Sequence, residues 1–367
     1  MEHVQERQRF RKAAGIAVLA SGAFAAWVGW GIGGEMSVLY VDDLATVLAA
    51  LTATVLCLRA GALHARELRL FWWLLAAACG AWTLGEMIWA VYDLALRESV
   101  PVPSWADVGY LTGVPLAVLA LVCHPALRGS GTHKARSVLD GLTVATALLF
   151  LSWTIVLGPL WRSTDLSTLG GVVAFAYPFG DVVMIFFIVL AIRGMTAGDR
   201  LPLWCLLAGL LALALSDGTY SYLTEVKSYE SGSLIDTGWF AGYLGIALGA
   251  FCFGPRGSVV RRTGLSLPGR ASLVAPFLPV LGALGVAAIE IELLQRLDDV
   301  AWITALGLVG LVLARQGLLV LDLVGRGDEQ EAVVAKRVAH AALGHAIPAA
   351  TGPSVTMIPE APRVDGL

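Results

Sequence analysis

Charge is scarce in this sequence: Asp, Glu, Lys and Arg make up 14% of 367 residues, against 57% hydrophobic. Soluble domains carry about a quarter charged residues, so an ordinary water-facing surface cannot be built from this chain. Cysteine is just as sparse. Cys57, Cys79, Cys123, Cys205 and Cys252 fall one to an apolar segment, with no Cys-x-x-Cys spacing. That excludes a zinc ribbon or a dithiol redox motif and leaves them as small buried hydrophobes. No His-Glu-x-x-His pattern occurs, and none of the six histidines lies in the acidic stretches described below, so no metal site is expected. Gly-x-Ser-x-Gly and P-loop patterns are missing, and no His or Lys is placed to activate a Ser or Thr. An enzymatic role is not the leading expectation, and the sequence specifies no cofactor.

What the chain has instead is long apolar runs and a mean hydropathy of +0.75. Ten windows are candidates for spans: 13–31, 42–60, 70–92, 106–124, 137–160, 169–192, 202–223, 236–253, 273–295 and 299–321. A bilayer needs about 20 apolar residues per crossing helix, and windows this continuous are too long for barrel strands. The fold class is therefore all-α: a polytopic membrane helix bundle of about ten transmembrane helices. The first window is too long for a signal-peptide core and is expected to be retained. Tyr177-Pro178-Phe179-Gly180-Asp181 predicts a kink that exposes backbone carbonyls beside a buried carboxylate. Trp72, Trp73, Trp161 and Trp302 are expected to anchor helix ends at the membrane interface.

Lys and Arg sort by loop. Twenty-one of the 25 fall at one side of the proposed membrane, beginning with Arg7, Arg9, Arg11 and Lys12; Arg97, Arg162, Lys227 and Arg296 occupy the other. By the positive-inside rule both termini face the cytoplasm of a bacterial cell (inner) membrane. The basic loops are explained by topology and anionic lipid, and no nucleic acid is implied. Three regions follow: a basic cytoplasmic N-terminus over 1–12, a helical membrane domain over 13–322, and a polar, largely disordered cytoplasmic tail over 323–367.

The acids collect at the outer ends of the spans, in a repeating layout. Glu86 and Asp107 lie 21 residues apart across one hairpin, and Asp217 and Asp236 lie 19 apart across another. Val41-Asp-Asp-Leu-Ala45 with Arg59 parallels Leu297-Asp-Asp-Val-Ala301 with Arg315, and Asp181 with Arg193 is a third variant. Repeated helical hairpins of one orientation fit this better than inverted halves. Aromatic residues follow the acids at helical spacing: Glu86 with Trp89, Asp107 with Tyr110, Asp217 with Tyr220 and Asp236 with Trp239. With Tyr177 and Asp181, these predict an outward-facing acidic and aromatic pocket for a small ligand or cation, since intramembrane carboxylates usually face a bundle interior. The competing reading has each acid hydrogen-bonded locally, fixing helix packing.

Gly85-Glu86…Tyr92, Pro103-Ser104…Ala106-Asp107…Tyr110-Leu111, Tyr177-Pro178…Gly180-Asp181, Ser216-Asp217…Tyr220 and Arg315-Gln316-Gly317-Leu318-Leu319 resemble the multi-span sensory modules that precede GGDEF and EAL domains in actinobacterial cyclic-di-GMP signalling proteins. The resemblance covers about 13–322 and implies sensing coupled to a cytoplasmic or membrane signalling partner. No Gly-Gly-Asp-Glu-Phe segment occurs, so cyclase activity is not implied; a stand-alone regulatory protein or a truncated product is expected. A cation- or proton-coupled transporter using the same carboxylates is the second expectation.

Overall fold

The computed structural model describes residues 2–64, 66–128, 132–163, 167–195, 200–225, 228–252, 277–289, 298–318 and 320. These are helical, with no strand among them. The helices are α1 (Glu2–Gly29), α2 (Glu35–Leu63), α3 (Arg66–Ala90), α4 (Trp105–Cys123), α5 (Thr132–Ser152), α6 (Gly158–Ser163), α7 (Leu169–Gly194), α8 (Leu201–Glu225), α9 (Asp236–Cys252), α10 (Phe277–Ile289) and α11 (Asp299–Leu318). Seven helical stretches are long and apolar enough to cross a membrane: Gln8–Gly29, Glu35–Leu63, Arg66–Leu96, Trp105–Cys123, Leu169–Ile192, Leu201–Thr224 and Asp299–Leu318. Helices also occupy the other three predicted windows, but their described apolar parts are shorter: Gly141–Ile155, Asp236–Cys252 and Val280–Ile289. The proposed tail over 323–367 and the basic loop with Arg256, Arg261, Arg262 and Arg270 lie outside the described residues.

Side-chain distribution supports a lipid-facing exterior independently of hydropathy. On α2, Leu44, Leu48, Leu51, Val55 and Leu58 are exposed at helical spacing, while Asp42, Asp43, Thr46, Ala49, Ala50, Ala53, Cys57 and Ala60 are buried. Large apolar groups outside and small or polar groups inside invert the soluble pattern, as suits a helix whose outer solvent is lipid and whose small residues let its neighbours approach.

Six helices pack in a closed ring. The order is α2, α3, α4, α7, α8, α9 and back to α2; α1 lies against α9 and α2, α5 against α7, and α10 against α5. α2 therefore faces α7 across the ring, α3 faces α8, and α4 faces α9. One end is filled by Phe71, Trp72, Leu121, Ile188, Leu203 and Leu206. Trp72 is fully buried there and is a core residue, not an interface anchor, whereas Trp73, Trp161 and Trp302 are exposed.

The two halves of the ring use the same glycine contacts. A Cβ on Gly109 of α4 would lie 2.7 Å from both Ala81 O and Gly85 N of α3. A Cβ on Gly238 of α9 would meet Ser216 Oγ and, at 3.0 Å, Ala212 O of α8. One turn further, Gly113 faces the Trp82 indole and Gly242 faces Leu213. Gly85 precedes Glu86 and Ser216 precedes Asp217, while Gly109 and Gly238 each follow an Asp by two positions. The hairpins α3–α4 and α8–α9 thus pack in one register and hold their acids alike. α2 and α7 hold corresponding places in the ring, so its order runs α2–α3–α4 and then α7–α8–α9.

α7 is helical throughout Leu169–Gly194, with Pro178 and Gly180 inside it. Irregular backbone sits elsewhere. Val91–Leu96 and Trp153–Leu157 are π-helical turns that continue α3 and α5. Such turns carry one extra residue per turn and re-aim the side chains beyond them. Cys57 and Cys79 are buried free thiols as expected, while Cys123 and Cys205 are only partly buried.

Candidate functional site

The end of the ring opposite the packed core encloses a cavity of about 150 Å³. That is many times the ~10–15 Å³ one water requires. All ten residues predicted for the pocket line it: Glu86, Trp89, Asp107, Tyr110, Tyr177, Asp181, Asp217, Tyr220, Asp236 and Trp239. Each of the six ring helices contributes at least one carboxylate. Asp42, Asp43, Trp82 and Tyr229, which sequence spacing missed, also line it, as does Tyr243, seven residues beyond Asp236 on the same face of α9. Asp42 and Asp43 had been visible only as outer-end acids of a repeat, and their membership depends on α2 closing the ring. Tyr229 lies in the connection between α8 and α9, where no helical period could assign it to a face.

Some acids are held by ordinary structural hydrogen bonds. Asp107 is in the capping box of α4: Ser104 N donates to its Oδ2 at 2.6 Å and Ser104 Oγ at 3.2 Å, while Tyr177 OH donates to Oδ1. Asp236 opens α9 in a similar way, accepting from Ser233 N at 2.7 Å, Gly232 N at 2.8 Å and Tyr229 OH at 3.2 Å. Gly232 has φ of +83°, which a side chain would disfavour, and its N–H also reaches Asp42 Oδ2 at 2.9 Å. For Asp107 and Asp236 the local-packing reading holds, and both still face the cavity.

Other acids are tied to aromatic donors. Trp239 Nε1 donates to Asp217 Oδ1 at 2.7 Å, Tyr243 OH to Glu86 Oε1 at 2.7 Å, and Trp89 Nε1 to Asp93 Oδ2 at 3.1 Å. Trp89, Tyr220, Tyr229 and Trp239 form a cluster whose centroids lie 4.7–6.4 Å apart at steep interplanar angles. Edge-to-face packing is what ring quadrupoles favour, and it makes a wall of π surface and carboxylate edges. Tyr229, outside the spans, has its phenol pushed well above the usual range, by burial first and then by the charges of Asp236 and Asp42. It therefore stays a hydrogen-bond donor at physiological pH.

Two carboxylates differ from the rest. Asp43 and Asp181 are each only 6% exposed, and Oδ2 of each has no hydrogen-bond partner. Thr46 Oγ1, also in the lining, is likewise unpartnered. Uncompensated oxygens of this kind cost several kcal/mol if left dry, so they call for water or a donor in the cavity. No Lys, Arg or His is in the described lining. Nor does any group of three or more His, Cys, Asp or Glu among the described residues have metal-binding geometry. The described acids meet in pairs, Asp42 with Asp236 and Asp181 with Asp217 each sharing a side-chain hydrogen bond, and do not gather in threes.

A second cavity, about 210 Å³, is lined by apolar side chains of α5, α10 and α11, including Phe150, Leu284 and Leu308. It has no polar group to orient a ligand. Compared with family models, curated proteins and solved structures, the chain matches none.

Proposed function

We propose that this chain is an integral membrane sensory module that takes a small organic cation into the acidic and aromatic cavity. The observation that carries this reading is the lining itself: seven carboxylates and eight aromatic rings, without a cationic side chain among the described residues. Negative charge and π surface in a partly dehydrated site favour an organic cation over an anion or a neutral ligand. Carboxylates that meet only in pairs argue against a bare divalent ion, which needs several oxygens at one point.

In this proposal the protein crosses a bacterial inner membrane ten times, with both termini in the cytoplasm and the cavity open to the outside. Occupancy shifts the packing of ring helices, and a cytoplasmic or membrane partner reads the shift. The likeness to modules preceding GGDEF and EAL domains supports the signalling part.

The second reading is a cation- or proton-coupled transporter, favoured by the same buried carboxylates. One experiment separates the two. Purified protein in liposomes is titrated with tetramethylammonium and assayed for its flux. Saturable binding that weakens in Asp217→Asn, without flux, is the expected result for a sensor. Flux that falls in Asp181→Asn establishes transport, and a folded protein that binds no cation overturns both readings.

A further inference from the structure

The two unpartnered carboxylate oxygens occupy related places. Asp43 sits on α2, the first helix of one three-helix unit, and Asp181 on α7, the first helix of the other. Since α2 and α7 stand three places apart in a ring of six, these groups approach the cavity from opposite walls. The contacts of Gly109 and Gly238 match the α3–α4 hairpin to the α8–α9 hairpin, and α2 and α7 hold corresponding places in the ring beside them.

The other acids are more fully engaged. Asp107 and Asp236 are occupied by helix-capping donors, Asp217 accepts from Trp239, Glu86 from Tyr243, and Asp42 from the Gly232 amide. Asp181 also shares a side-chain hydrogen bond with Asp217, but one buried oxygen per unit, Oδ2 of Asp43 and Oδ2 of Asp181, is left without a donor, and Trp82, Tyr110, Val114 and Met184 line the same cavity. A cavity with two like-charged acceptors on facing walls and an aromatic and aliphatic waist is complementary to a molecule of matching form.

From this geometry we infer that the ligand is a linear organic dication, an α,ω-diamine whose two ammonium groups are taken by Asp43 and Asp181 while its methylene chain crosses the waist. The inference rests on the cation-binding reading above and deepens it. A diamine supplies a donor to each orphaned oxygen at once. A monoamine satisfies only one and leaves the other buried and unpaired, the condition that makes polar discrimination strong.

The test uses the full chain in lipid nanodiscs. 1,4-Diaminobutane and longer α,ω-diaminoalkanes are titrated beside the monoamines of the same carbon count, with tetramethylammonium as a general cation. The expected result is a preference for the best-fitting diamine over its monoamine of about ten- to hundredfold, the loss of one charge-assisted hydrogen bond. In Asp43→Asn and in Asp181→Asn, the diamine falls to the level of the monoamine, which still binds at the remaining wall. Unfolding transitions are followed alongside; if either variant does not fold, the diamine to monoamine ratio of the wild type decides alone. Equal affinity of diamine and monoamine overturns the dication and leaves the cation pocket standing. Failure of diamine, monoamine and tetramethylammonium alike, in a protein with a cooperative unfolding transition, overturns both.

Discussion

Tyr243 on α9 donates its phenolic proton to Glu86 on α3 at 2.7 Å, although 157 positions separate them. α3 and α9 are both neighbours of α2, so this bond bridges the inside of the ring behind Asp42 and Asp43. Glu86→Gln and Tyr243→Phe are expected to destabilise singly and to be non-additive together. A double-mutant cycle on unfolding in detergent should return a coupling of about 0.5–3 kcal/mol. Additive effects would mean that the bond does not hold the two helices.

The glycine contacts give a second test. Gly109→Ala and Gly238→Ala place a methyl group against backbone of the facing helix, so each should cost about 1–3 kcal/mol and lower the thermal midpoint. Gly22→Ala and Gly307→Ala, which have nothing within 4 Å of the added Cβ, should be neutral or slightly stabilising by helix propensity. If all four behave alike, the matched registers of the two hairpins are not what holds the ring together.

At the start of α11, Asp298 accepts from Ala301 N at 2.9 Å and from Trp153 Nε1 at 3.0 Å, and pairs with Arg162 at 2.9 Å. The ion pair is largely exposed, so Arg162→Ala should change stability by about 0–1 kcal/mol. Asp298→Ala removes a helix cap and the indole's acceptor together and should cost about 1–2 kcal/mol. Chemical denaturation of the two variants side by side measures the difference.

Topology is open to labelling. Glu98 and Glu230 are exposed in connections at the cavity end, and Arg66 is exposed at the start of α3, whose far end lies at the cavity. In a cysteine-free background, Glu98→Cys and Glu230→Cys should react with an impermeant maleimide on intact cells. Arg66→Cys should react only after permeabilisation. The reverse pattern would turn the cavity toward the cytoplasm.

Much of the fold was readable before any coordinates. Apolar windows of bilayer length mark the helices because an unpaired backbone is too costly in hydrocarbon, and each of the ten windows coincides with a helix. The i, i+3 pairing of acids with rings correctly grouped Glu86 with Trp89 and Asp217 with Tyr220, since residues at that spacing share a helix face. The eight residues chosen in this way line one cavity, together with Tyr177 and Asp181 of the Tyr-Pro-Phe-Gly-Asp stretch. Tertiary context overrode a local rule at Trp72, which is buried in the core and does not reach the interface.

Local spacing determined which groups share one side of one helix, along with the hydrocarbon length of the segments and the duplicated positions of the acids. It could not determine which helices would be neighbours. That choice is made by close approach at Gly109 and Gly238, and by α9 returning to α2, contacts between residues far apart in the chain. Only when the ring is closed do Asp42, Asp43 and Tyr229 join the pocket, and only then do Asp43 and Asp181 stand out, because whether a carboxylate oxygen has a donor depends on what the other helices bring to it.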